Sequence, residues 1–232
     1  MLLIRAGAVN LRTMTTDQKD SVAGRAGVCF GVIILAAGAS SRMGKPKLLL
    51  PWGGTSVLGH LIEQWRELKA NQIAVVLASG NSTIGIELDR LGFPAASRIA
   101  NPQSERGMFS SIQRAAGWGK WDSGLTHGVI VLGDQPHLLR ATLRALLDFA
   151  AAQPQKICQP SRRGRPRHPV VLPKAILDQI KDSRDATLKQ FLQNHAHAMA
   201  LRELDDPGLD FDVDTPGDYE QALRLFRESR RS

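Results

Sequence analysis

Residues 31–50, GVIILAAGASSRMGKPKLLL, begin as an apolar run and then break into small residues followed by Arg42, Lys45 and Lys47. The run has no polar alternation, so it reads as a strand buried on both faces, as in the middle of a parallel sheet. In such sheets the carboxyl ends of the strands open onto the ligand crevice, and a glycine-rich turn directly after the first strand lies where phosphates bind. Small side chains at Ala36, Ala37, Gly38 and Ala39 let the backbone approach a ligand, and exposed N–H groups there cradle anionic oxygens. Arg42 offers a planar fork for phosphate oxygens and Lys47 a mobile point charge. Two common phosphate motifs are excluded. Five residues separate Gly38 from Gly44 instead of the four of a P-loop, and Pro46 stands where a metal-binding Ser or Thr belongs. There is also no G-x-G-x-x-G.

Outward from this stretch, strand-like and helix-like segments alternate. VLGHLIEQWREL, TIGIELDRLG, GMFSSIQRAAG and LLRATLRALLDFAA carry helical periodicity, while IAVVLA and GVIVLGDQP read as strands. In the third of these helices Met108, Phe109, Ile112, Ala115 and Ala116 form one stripe. KICQPS and HPVVLP read as short strands around a basic loop, and residues 186–194 as a helix. Thr215, Pro216 and Asp218 make a capping box that opens a last helix with Tyr219, Ala222, Leu223 and Phe226 on its buried side. The pattern predicts one α/β domain, a three-layer α/β/α Rossmann-like arrangement around a mostly parallel sheet, over residues 29–228. Residues 1–28 have no sustained period and are expected to form a flexible leader, with Met14 an alternative start.

Composition narrows the function classes. At 232 residues and 43% hydrophobic, the chain is long enough for one sizeable core. No apolar run approaches the roughly 20 residues that cross a bilayer, and the first 20 residues are too polar for a secretory signal. Cys29 and Cys158 are too few for a disulfide framework or a four-thiolate zinc site, which fits a cytoplasmic protein. The net charge of +8 favours anionic partners, and much of it sits in RRGRPRH (162–168) and the C-terminal tail.

LAAGASSRMGKPKLLLP resembles the signature L-A-A-G-x-S-x-R-M-G-x-P-K of nucleotidyltransferases with a glycosyltransferase-A-like sheet. NPQSERGMFSSI, GDQP, GRPRHPVVLP and DVDTPGDYE follow in that family's order, so the resemblance covers roughly residues 30–226. Within the superfamily the chain is most similar to the molybdenum cofactor cytidylyltransferases. The resemblance implies a nucleotide site at Leu35, Ala36, Ala37, Gly38, Arg42 and Lys47. Asn101 and Ser110 would hold the base or ribose, helix capping being the competing explanation. It also implies Mg2+ bound at Asp134, with a second carboxylate from DFDVDTP: Asp214 first by motif position, then Asp212. In an extended segment Asp210, Asp212 and Asp214 share one face. Arg42, Lys47 and Asp134 form the implied catalytic set.

The implied reaction is direct. A terminal phosphate of the acceptor attacks the nucleotide α-phosphorus and pyrophosphate leaves, with no protein nucleophile or general base. The related guanylyltransferases read L-A-G-G, whereas Ala37 stands at the third position here, and its methyl group favours CTP over GTP. In the basic loop, R-G-R-P is also the core of a DNA minor-groove hook. The loop joins two strands inside the domain, so Arg163, Arg165 and His168 are assigned to the acidic acceptor, molybdopterin or the molybdenum cofactor, rather than to nucleic acid. His195 and His197 lack the partners of a metal site, and the four tryptophans read as packing residues. Rival readings are a related nucleotidyltransferase that uses GTP or activates a sugar or polyol phosphate, and a non-catalytic carrier that delivers the cofactor to a molybdoenzyme or its chaperone.

Overall fold

The apolar run after Cys29 forms strand β1 (Phe30–Leu35), the centre of an 8-stranded sheet. A computed structural model describes residues 27–38 and 46–229. The leader through residue 26, Ala39 and Arg42 therefore lie outside the described residues. β1 is flanked in parallel register by β4 (Gln72–Ala78) and β6 (His127–Leu132), with Leu35 opposite both Val76 and Leu132. β5 (Arg98–Asn101) extends this parallel block beyond β4. On the other side, β9 (Val170–Pro173) runs antiparallel to both β6 and β7 (Ile157–Arg162), and β10 (Met199–Glu203) closes the edge parallel to β7. A two-stranded hairpin, β2 (Pro51–Trp52) and β3 (Thr55–Ser56), stands apart, and β8 (Arg165–Pro166) folds back on β7.

Residues on the central strands alternate between two cores. Val32, Ile34, Val75, Val129 and Val131 face one core, and Ile33, Ala74, Val76 and Ile130 face the other. Both faces are thus covered, which is why these strands are apolar without alternation. The first core is roofed by α1 (Val57–Glu67), α2 (Ser82–Arg90), α4 (Arg140–Ala151) and α7 (Pro216–Ser229), and the second by α3 (Met108–Ala116), α5 (Lys174–Lys181) and α6 (Leu188–Asn194). The expected three-layer arrangement is present. The capping box also forms, with Asp218 N donating to Thr215 Oγ1 at 3.2 Å and Thr215 N to Asp218 Oδ2 at 2.8 Å.

β5, β8, β10 and α5 were not legible in the residue pattern. β10 bears the exposed Leu201, Arg202 and Glu203 and follows a short helical turn, so no apolar period marks it. Met108 departs from the expected buried stripe: it is 46% exposed, while Phe109, Ile112, Ala115 and Ala116 are buried. Trp52 and Trp65 pack in the first core, while Trp118 and Trp121 meet edge to face at 4.9 Å against the second. Placed on opposite faces, the four tryptophans form no common stacking platform.

Two histidines are buried in this framework. His127 is 2% exposed, and His137 is 3% exposed and stacked on Phe211 at 4.3 Å. Burial pulls both imidazoles below their ordinary value of 6.5. The unfolded chain therefore takes up protons that the folded chain refuses as pH drops below 6.5, and stability falls with it. The denaturation midpoint is expected to fall between pH 7 and pH 5, each histidine contributing at most about 1.4 kcal/mol per pH unit. In His137→Gln the fall should be shallower; an equal fall in the variant and the wild type, read by chemical denaturation at pH 7 and pH 5, would contradict the assignment.

Candidate active site

The carboxyl ends of β6, β1, β4 and β5 open in that order onto a crevice of about 600 Å³. Leu35, Ala37, Gly38, Lys47, Gly133 and Asp134 line it at one end, and Asn81, Ser104, Glu105, Gly107, Met108 and Ser111 toward the other. A larger cavity of about 730 Å³ lies between α1, α4 and α7, and several of its polar groups already have partners in the protein. There Arg140 pairs with Glu67, and Gln64 Nε2 donates to the Leu138 carbonyl.

Lys47 begins a short 3-10 turn (Lys47–Leu49) in which Leu48 is 5% exposed and acts as a plug. The plug fits because residue 133 is glycine: a Cβ there would stand 2.7 Å from the Leu35 carbonyl oxygen and 2.8 Å from Leu48 Cδ2. One of those neighbours is backbone and cannot yield. Gly133→Ala is expected to push Leu48, and with it Lys47, away from Asp134. This should destabilise the fold by about 1–3 kcal/mol and lower turnover at least tenfold. Thermal melts and steady-state rates check it, and a wild-type rate would show that the close approach is dispensable.

With Leu48 seated, Lys47 Nζ reaches Asp134 Oδ2 at 2.8 Å and Asp214 Oδ1 at 3.3 Å. The two carboxylates come from segments 80 residues apart, joined where Val213 N donates to the Asp134 carbonyl at 2.9 Å. Asp212 sits beside them, accepting from Gln135 Nε2 at 2.9 Å. Burial, and then the neighbouring Asp134 charge, push the Asp212 carboxyl above the usual carboxylate range. Asp210 does not share this face, contrary to the alternation expected of an extended strand. It ends the short turn Pro207–Asp210 and pairs with Arg162 and, at 2.9 Å, with Arg167. Proline and glycine at the head of that turn break the period of 2.

The donor set suits a hard divalent cation. Asp134 Oδ1 is buried with no hydrogen-bond partner, Asp214 shares Lys47 with Asp134, and Asp212 adds negative charge nearby. Among the described residues no group of three or more His, Cys, Asp or Glu side chains could hold a metal ion by itself. A pair of carboxylates serves a divalent cation that takes its remaining ligands from water and substrate phosphates.

The other expected residues are placed as follows. Ala37 and Gly38 form part of the crevice wall, whereas Ala36 is buried, its N–H donating to the Val76 carbonyl at 2.7 Å. Asn101 and Ser110 stand behind the wall: Asn101 Nδ2 donates to Ser110 Oγ and Ser111 Oγ, both at 2.9 Å, and Asn101 Oδ1 accepts from Gln103 N. They shape the segment that presents Ser104, Gly107, Met108 and Ser111. The Ser-Ser pair was the signal for this. Successive helical residues point about 100° apart, so only one of the two can face the crevice. In the basic hairpin Arg162 and Arg167 are held by Asp205 and Asp210, while Arg163, at the turn with φ 53°, and Arg165 are exposed. His168 lies near Asp134. Burial lowers its pKa to about 4 against the opposing pull of the Asp134 charge, so the ring is neutral, with Nδ1 unpaired. His195 stacks on Phe191 at 4.2 Å, as a packing residue does. Among the described residues no helix is long and apolar enough to cross a membrane.

Comparison with known proteins identifies the family and the fold. The family model for the MobA-like NTP transferase domain matches residues 32–199. The molybdenum cofactor cytidylyltransferase of Escherichia coli K12 is 26% identical over 197 residues, covering 84% of this chain and 96% of its own. The crystal structure of Rv0371c from Mycobacterium tuberculosis H37Rv superposes with a TM-score of 0.66 at 28% identity, covering 85% of this chain and 98% of that one. A second structure of Rv0371c, in complex with manganese, gives a TM-score of 0.62 at 25% identity and covers 85% and 99%. With the signature turn, the Lys47–Asp134 junction and a family match over residues 32–199, the chain belongs to the MobA-like NTP transferase domain family and is a nucleotidyltransferase.

Proposed function

We propose that this protein transfers CMP from CTP to the terminal phosphate of molybdopterin, or of its molybdenum-loaded form, and releases pyrophosphate. The observation that carries the reading is the junction of Lys47 with Asp134 and Asp214 at one end of a crevice lined there by Ala37 and Gly38. An acceptor phosphate oxygen forms a bond to the α-phosphorus as the α–β phosphoanhydride bond breaks, and the electron pair leaves with pyrophosphate. The acceptor is already anionic, so no protein group has to remove a proton. A divalent cation, when bound, neutralises the triphosphate. Asp134 and Asp214, with Asp212 beside them, are the residues that would hold it. Lys47, released to the phosphates, stabilises the charge that builds on the equatorial and leaving oxygens.

The small residues from Ala37 to Gly38 leave room for the phosphates, and the Ala37 methyl narrows the wall where a purine needs more space than a pyrimidine. The similarity to a molybdenum cofactor cytidylyltransferase supports the same nucleotide and acceptor. Arg163 and Arg165, exposed on the hairpin at the same sheet edge, supply positive charge for an acidic acceptor, and His168 supplies a neutral hydrogen-bonding ring. Incubating the protein with each NTP, Mg2+ and purified molybdopterin, followed by mass analysis, is expected to yield a CMP adduct and pyrophosphate. A GMP adduct would overturn the choice of nucleotide. No pyrophosphate with any NTP would overturn the reaction for this acceptor.

A further inference from the structure

Lys47 occupies a place that a phosphate-binding lysine need not occupy. Its ammonium bridges Asp134 Oδ2 at 2.8 Å and Asp214 Oδ1 at 3.3 Å, with the three side chains 18%, 22% and 36% exposed. The carboxylates that would hold a divalent cation thus already have a counter-ion, supplied by the chain itself. A magnesium–oxygen bond is about 2.0–2.1 Å, so a cation on Asp134 Oδ2 would stand no more than about 5 Å from an ammonium at this position. Two cations that close, in a partly desolvated crevice, repel strongly.

Resting on the reading of this crevice as a nucleotidyl-transfer site, we infer that Lys47 is an internal competitor of the metal, which keeps the carboxylate pair from binding a divalent cation until a nucleotide triphosphate draws the lysine away. The nucleotide does two things at once. Its phosphates give Lys47 a new anionic partner, and they bring oxygens that complete the coordination sphere which Asp134 and Asp214 begin. Metal and nucleotide therefore bind with positive coupling, and by linkage each strengthens the other equally. Lys47 also prevents the like charges of Asp134, Asp212 and Asp214 from facing one another uncompensated in the nucleotide-free protein.

The test needs neither nucleotide nor acceptor. Mn2+ alone is titrated into the full-length protein, and free Mn2+ is read from its electron paramagnetic resonance signal, for the wild type, Lys47→Met and Lys47→Arg. Lys47→Met removes the charge and keeps the length of the stem; Lys47→Arg keeps the charge. Lys47→Met is expected to bind Mn2+ at least tenfold more tightly than wild type, and Lys47→Arg no more tightly. A Lys47→Met affinity within twofold of wild type would overturn the inference, because the metal would then be using oxygens that Lys47 does not hold, such as Asp134 Oδ1. So would equal tightening in Lys47→Arg, since loss of the charge would not be the cause. Circular dichroism confirms that each variant is folded before titration. This outcome is separable from the proposed reaction: tighter Mn2+ binding in Lys47→Met, together with no CMP adduct from wild type, would remove the acceptor or nucleotide assignment and leave the competition standing.

Discussion

Replacing Asp134 with asparagine is expected to lower kcat/KM for nucleotidyl transfer by about 10³-fold or more, equivalent to roughly 4 kcal/mol of transition-state stabilisation. Asparagine keeps the shape of the side chain but removes the charge shared by Oδ2, which Lys47 Nζ holds, and the orphaned Oδ1. The turn around it should survive, because Val213 N is held by the residue 134 backbone carbonyl and not by its side chain. The thermal midpoint should therefore stay within a few degrees of wild type while pyrophosphate release collapses. Comparable rates for Asp134→Asn and wild type would place the metal, and with it the active site, elsewhere.

Lys47→Ala should have the second largest effect, about 10²–10³-fold on turnover, because a charge aimed at the developing phosphate oxygens is lost from a partly desolvated site. The loss should fall mainly on kcat, since that charge matters most once the α–β bond is breaking. The variant separates two properties that usually travel together. Metal affinity without nucleotide should rise, yet transfer should fall, since the group that competes with the cation in the resting protein is also one that the reaction uses. A stopped-flow pyrophosphate assay at saturating nucleotide and Mg2+ reads the kcat effect directly. An unchanged kcat would confine Lys47 to nucleotide binding.

Much of the fold was legible because burial leaves a mark on every residue it touches. β1, β4 and β6 are apolar at consecutive positions, as strands covered on both faces must be, and the helices between them carry a clear period. β10 and β5 left little such mark, lying at the two sheet edges where exposed positions are tolerated. The basic hairpin shows a different kind of limit. Its arginines were legible as charge, but which were already engaged was not: Arg162 and Arg167 are held by acidic residues more than 40 positions away, an arrangement that no local pattern encodes.

The sequence by itself determined the three-layer α/β arrangement and the position of the small-residue stretch after the first strand, both of which follow from local periodicity and side-chain chemistry, whereas the residues proposed for a phosphate and metal site came from resemblance to a known family. Only the tertiary structure decided which aspartates of DFDVDTP meet Asp134, that Ser111 and not Ser110 faces the crevice, and that Lys47 lies on the carboxylates. Those outcomes depend on contacts between segments distant in the chain: Val213 on the Asp134 backbone, Leu48 over Gly133, and Asn101 behind the α3 serines. Each is a matter of fit between surfaces brought together by the sheet, and the residue types of one segment carry no record of the other.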